Sequence, residues 1–238
     1  KFLIESYNDF LKDKLFDRSN HNEKLTLLTY LSNCLYKTKK YKQSLKYSEE
    51  LLNGMKEYDS FLHDKYLFYY YNILVLNYAK TDKKKALDYL NKASNSEAIK
   101  RLPSYNSFIY LNRSLIYYYE DNYKESQKNI ARLIMQEDFL LLDKSFQLKI
   151  LVTELMIRMI VSNKNLNDKI TSINKNYKSL LLEENYIREK KMIDLIFKMI
   201  NDGDVVDNKE GLLSSMSDSD SEDIDIISYN IWIKENIR

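Results

Sequence analysis

A chain of 238 residues, 44% of them hydrophobic, is long enough to bury a sizeable core, either as one domain or as an array of repeats. Three glycines and one proline are too few for the many tight turns of a sandwich or barrel, which points to helices joined by short polar connections. Lys and Arg (37) nearly cancel Asp and Glu (35) and are interspersed along the chain, so the charge pattern disfavours nucleic acid as a partner.

Residues 1–20 open with Phe2, Leu3, Tyr7, Phe10, Leu11 and Leu15 at helical spacing. They read as one N-terminal helix, the second half of an earlier repeat or a cap. The chain begins at Lys1, which leaves room for a removed targeting segment, and the default location is the cytoplasm. No stretch approaches the ~18 uncharged apolar residues of a membrane span, and Lys149, Glu154 and Arg158 interrupt the most apolar one, so membrane insertion is not expected.

Residues 21–201 read as a repeat array, because an apolar helix, a polar break and an amphipathic helix recur. A small residue stands near the start of each second helix: Ser44, Ala86 and Ser126, with Lys169 in a weaker fourth copy, at spacings of 42, 40 and 43. A small side chain there lets two helices approach closely. Four and seven positions on come Ser48 and Leu51, Leu90 and Ala93, and Ile130 and Leu133; the fourth copy carries Leu166 and Ile173. Each set forms one helical stripe facing the preceding helix. Pro103 falls at the start of the third copy's first helix, where its missing N–H costs nothing.

These helix pairs resemble tetratricopeptide repeats (TPR). Leu28, Leu31, Ser32, Leu35, Tyr41, Ser44 and Leu51 carry the likeness best, followed by Tyr70, Ile73, Ala86, Leu90 and Ala93, and by Tyr110, Ser114, Tyr117, Tyr123, Ser126 and Leu133. The period of 40–43 exceeds the ~34 of that family, the proline that commonly ends its second helix is missing, and Arg113 occupies a normally apolar position. Longer repeats of this kind resemble those of bacterial regulatory and scaffold proteins, and HEAT-type repeats, at ~40–47 residues, are the alternative. The expected fold is all-α, a right-handed α-solenoid of antiparallel helix pairs.

The resemblance implies a concave face lined by the first helices. It would carry Thr26, Thr29, Asn33, Tyr36 and Lys37; then Phe68, Tyr71, Asn72, Val75 and Tyr78; then Phe108, Leu111, Leu115, Tyr118 and Tyr119. Tyrosine suits recognition, offering a large rigid area and a hydroxyl. The runs Tyr69–Tyr71 and Tyr117–Tyr119 cover every side of a helix, so some of these rings must be core. Capture of a chaperone's C-terminal carboxylate is disfavoured: Asn33 and Asn72 match the asparagines of that subclass, but Thr29, Phe108 and Asn112 replace its cations. The implied partner is a protein or an extended or helical peptide, bound by a scaffold or adaptor; the alternative is a regulator that senses a peptide and changes its affinity for a protein.

Glu183 to Ile200 reads as one more amphipathic helix. Residues 202–222, rich in Ser and Asp, read as an acidic linker, and 223–238 as a capping helix with Ile224, Ile227, Ile231 and Ile237 at helical spacing and the only tryptophan, Trp232. No metal, cofactor or catalytic site is expected. His21, in a polar loop, and His63 lack partners at ligand spacing. The run Asp218, Asp220, Glu222 departs from a calcium loop at Asp223 and Tyr229. No phosphate-binding loop or nucleophile motif occurs, pairs such as Glu49–Glu50 and Glu183–Glu184 suit solvated helix faces, and Cys34 reads as a buried small hydrophobe.

Overall fold

A computed structural model describes residues 2–162, 165–202, 209–216 and 225–237. Among them all regular structure is helical, and they form two compact units divided after Asn112. None of the described helices is long and apolar enough to cross a membrane.

The first unit contains α1 (Phe2–Lys12), α2 (His21–Lys37), α3 (Tyr41–Met55), α4 (His63–Thr81), α5 (Lys83–Ser94) and the single-turn α6 (Glu97–Lys100), followed by a π-helical segment, Ser107–Leu111. Consecutive helices pack on one another from α1 to α6, and α2 also meets α4. The core includes residues picked out by spacing and by the repeat resemblance: Leu28, Leu31 and Leu51 are buried on α2 and α3, Ile73 on α4, and Ala86, Leu90 and Ala93 on α5, and Leu25 of α2 joins them. Each fully buried Leu or Ile contributes roughly 1.5–3 kcal/mol. Pro103 lies in the turn 101–104, two positions before the helical segment that begins at Tyr105 and so just outside the first helical position.

The second unit contains α7 (Asn112–Tyr118, its first residue at the division), α8 (Tyr123–Ile134), α9 (Lys144–Val161), α10 (Leu166–Asn176), α11 (Ile187–Asp202), α12 (Lys209–Met216) and α13 (Tyr229–Asn236). Helix α9 is central to it, packing against α8, α10 and α11. Carboxylates, amides and hydroxyls start several helices by accepting otherwise orphaned N–H groups: Asp82 for α5, Asn122 for α8, Asp143 for α9 and Ser228 for α13.

Local features at equivalent positions recur in the two units, with the serine bond running from the second helix in one and from the first helix in the other. In the first, the Ser44 hydroxyl donates to the Ser32 carbonyl at 2.8 Å; in the second, Ser114 donates to the Ser126 carbonyl at 2.9 Å. All four serines are fully buried, so the helices touch through small side chains. Lys39 and Asp121 are both left-handed (φ 59° and 58°) in the turn between paired helices. Lys40 N–H returns to the Leu35 carbonyl and Asn122 N–H to that of Tyr117, closing the same helix end twice. Tyr36 meets Tyr41, and Tyr118 meets Tyr123, at ring separations of 5.9 and 5.5 Å.

Where the small residue is replaced by Lys169, the chain adapts through charge. Lys169 Nζ lies 2.9 Å from Glu154 Oε2 on α9, and Arg158 Nε lies 2.7 Å from Oε1. Glu154 is 1% exposed, a burial tolerable only with both cations in place.

Several expectations are corrected. Cys34 is exposed, because it faces away from the Leu31–Leu35 stripe of α2. His21 is the first residue of α2 and 1% exposed, packed between Tyr58 and Phe61. Within the stretch read as a linker, Lys209–Met216 is helical and Met216 is fully buried. Of the isoleucines read as one stripe, Ile227 and Ile237 are buried but Ile231 is 50% exposed, and on α13 the buried side chains are Tyr229, Trp232 and Ile233. Residues 203–208 and 217–224, with Asp218, Asp220, Glu222, Asp223 and Ile224, lie outside the described residues.

Candidate partner-binding surfaces

In the first unit the residues assigned to a binding face separate into three groups. Asn33 and Tyr36 on α2 are half-buried and Lys37 is exposed. Thr26 shares a hydrogen bond of 2.6 Å with the Tyr66 hydroxyl of α4, which also donates to the Asn22 carbonyl at 2.9 Å. Thr29 is not available to a partner: it is 7% exposed and its hydroxyl donates to the Leu25 carbonyl.

The second group joins α4 to the π-helical segment. Phe68 sets its edge against Phe108 at 5.0 Å and 71°, and Tyr69 packs beside it at 5.6 Å. Phe108 is thereby buried to 6% exposure, a correction to its place on an open wall: its ring is consumed by the neighbouring first helix. Asn72 is half-buried next to this group, whereas Val75 is wholly core.

The third group is the most developed surface. Tyr71 and Tyr78, seven positions apart and therefore on one side of α4, are half-buried beside Tyr70. Tyr78 stacks on Tyr89 of α5 at 5.4 Å with the rings within 11° of parallel. Lys85 lies 5.4 Å above the Tyr78 ring and Lys92 lies 4.9 Å from that of Tyr89, each within cation–π range. Burial, reinforced by the neighbouring phenols, pushes the Tyr70 hydroxyl up to about 12 and raises those of Tyr71 and Tyr78. All three stay protonated at neutral pH and can both donate and accept hydrogen bonds. Tyr89, Lys85 and Lys92 escape a reading confined to first helices. The signal present in the sequence is one aromatic residue within a lysine-rich second helix.

In the second unit Tyr118 is 6% exposed, so its assignment to an open wall is also corrected; Tyr119 is 40% exposed. Tyr118 touches both Tyr119 and Tyr123. Burial raises the hydroxyls of Tyr118 and Tyr119, and the carboxylate of Glu235 on α13 adds to the effect in both. Tyr123 is pushed up to about 12, chiefly because it donates to Asp121 at 2.6 Å. Glu235 of the C-terminal helix therefore lies near enough to Tyr118 and Tyr119 for its charge to act on both hydroxyls.

Two devices hold that helix. Trp232 and Ile233 are fully buried and Tyr229 is 1% exposed. Arg188 of α11 grips Asp225 with two hydrogen bonds, of 2.8 and 2.7 Å, and its guanidinium lies 5.3 Å from the Tyr229 ring. Burial of Glu189, 2% exposed, raises its carboxyl above the ordinary range.

Comparison with protein-family models, curated proteins and solved structures finds no match. The surfaces are therefore interpreted through their own chemistry. Among the described residues no group of three or more His, Cys, Asp or Glu side chains is placed to hold a metal ion. His63 contacts the adjacent Asp64 at 3.2 Å, and His21 is enclosed by aromatic rings.

Proposed function

We propose that this chain is a protein- or peptide-binding module, a scaffold or adaptor built from TPR-like helix pairs, acting by recognition and not by catalysis. The observation that carries the reading is the surface formed by Tyr71, Tyr78 and Tyr89 with Lys85 and Lys92. Its rings are half-buried and fixed by one another, so little side-chain entropy is lost when a partner covers them. It presents apolar ring faces, hydroxyls and two cations together, a combination suited to an extended or helical peptide with apolar and acidic side chains. The repeated serine contacts and left-handed turns support helix pairs of one design, and the stacking proposed for them is that of a right-handed solenoid.

The test is capture of partners from the source organism's lysate with the wild type and with a Tyr71→Ser, Tyr78→Ser, Tyr89→Ser variant matched in helicity and melting temperature. Captured proteins are then titrated in purified form. A partner that binds the wild type at least tenfold more tightly supports the assignment; equal affinities for every captured protein overturn it.

The position of α13 favours a second reading, the ligand-responsive regulator, because a segment of the chain already lies beside Tyr118 and Tyr119. A regulator changes its radius of gyration in X-ray scattering on peptide addition, and a constitutive scaffold keeps it.

A further inference from the structure

We infer that the second unit holds a ligand pocket for a small carboxylate with an apolar body. The pocket, of about 260 Å³, lies among the end of α8, the 3-10 segment Glu137–Leu141, α9 and α10. Ile134, Phe139, Leu140, Leu151 and Ile173 give it an apolar wall. A buried apolar cavity of ~150 Å³ suffices for benzene, so this one has room for a medium-length alkyl chain or a substituted ring.

The head-group preference follows from the polar part of the lining, Glu154 and Lys169 with Ser172 and Asn176. Glu154 has one oxygen engaged by Arg158 and the other by Lys169. Among the described ion pairs of this cluster, two cations share the one carboxylate of Glu154. Lys169 presents its positive charge where a ligand can reach: its side chain is 32% exposed, and its bond to Glu154 uses one of three ammonium protons. An amine head would meet this charge with repulsion, and a purely apolar ligand would strip water from Lys169 without replacing it. A carboxylate offers Lys169 a charged acceptor in place of that water.

The pocket is also preformed. Gln147, fully buried, donates to the Leu142 carbonyl at 2.7 Å and to that of Leu140 at 3.2 Å, and accepts from Tyr177 at 2.6 Å. One amide thereby ties the 3-10 segment to the end of α10, so the wall carrying Leu140 is held opposite Tyr177 before any ligand arrives. Leu140 itself is 69% exposed and marks the entrance.

The probes are octanoate, 1-octanol and octylammonium, titrated into the full chain with methyl-labelled Ile and Leu followed by NMR. Octanoate is expected to saturate one site, to shift the methyls of Leu151 and Ile173, and to bind at least tenfold more tightly than octanol, with octylammonium weakest. Lys169→Met, which keeps the stem, should reduce octanoate to the affinity of octanol. Should that variant lose its fold, Leu140→Trp at the exposed entrance tests the same cavity by blocking both ligands. Octanoate no tighter than octanol, shifts confined to other methyls, or an octanoate affinity unaffected by Leu140→Trp overturns the inference.

Discussion

Ser44 on α3 donates its hydroxyl to the backbone carbonyl of Ser32 on α2 at 2.8 Å, and both side chains have zero exposure. The same hydroxyl accepts from Asn77 of α4 at 2.9 Å, so one small residue joins three helices. Ser44→Ala is expected to lower stability by about 1 kcal/mol through lost hydrogen bonds. Ser44→Leu should cost more, roughly 1–3 kcal/mol, because the added carbons have no space between α2 and α3. Urea unfolding of both variants checks the order, and the reverse order would show that the contact does not limit helix approach.

His21 predicts a pH dependence. Its imidazole is 1% exposed, and its Nδ1 lies 3.7 Å from Glu57, too far for a hydrogen bond. Burial lowers its proton affinity below the ordinary 6.5, Lys24 lowers it further, and the Glu57 carboxylate and Gly54 carbonyl oppose the change. The folded chain then binds fewer protons than the unfolded chain, so stability is present above pH 6.5 and falls as pH drops below it. The melting temperature should decline between pH 7 and 5, with a smaller decline in His21→Phe. An identical decline in both proteins would assign the effect to carboxylates instead. Protonation would also press on Tyr58, whose ring lies 4.9 Å from the imidazole in a turn where Tyr58, Asp59 and Ser60 are all left-handed.

Docking of α13 is readable by fluorescence, since Trp232 is the only tryptophan and has zero exposure. Its emission is expected to be blue-shifted and shielded from acrylamide. Arg188→Met strands Asp225, whose side chain is 2% exposed, and should destabilise this unit by about 3–5 kcal/mol. Trp232→Phe should cost less than Trp232→Ala, because the indole Nε1 makes no hydrogen bond to the described residues and the anchor is apolar burial. Emission unchanged in Arg188→Met would show that the guanidinium does not hold the tail.

The buried Glu154 gives a sharper test of Lys169 than its place in the repeat. Removing Lys169 as Lys169→Ala leaves a nearly inaccessible carboxylate with Arg158 alone and should cost about 3 kcal/mol or more. The double variant Glu154→Leu with Lys169→Ala, which removes the buried charge, should recover much of that loss in thermal melts. Additive losses would mean that the pair is not energetically coupled.

What the sequence determined by itself was the all-helical character and several of the small residues at which neighbouring helices touch. These depend on periodic apolar residues and on small side chains such as Ser44 and Ser126, whose consequences are local or reach only the next helix. The tertiary structure decided which rings remain available. A helix bearing Tyr69, Tyr70 and Tyr71 is aromatic on every side, so only its neighbours select Phe108 and Tyr118 for burial and leave Tyr71 and Tyr78 to meet Tyr89. The same holds for His21, enclosed by a turn formed after α3, and for the C-terminal helix, whose docking depends on Arg188 meeting Asp225 across 37 residues of chain. Pairings of that range leave no periodic trace, because they arise from packing between helices and not from the repeat within them.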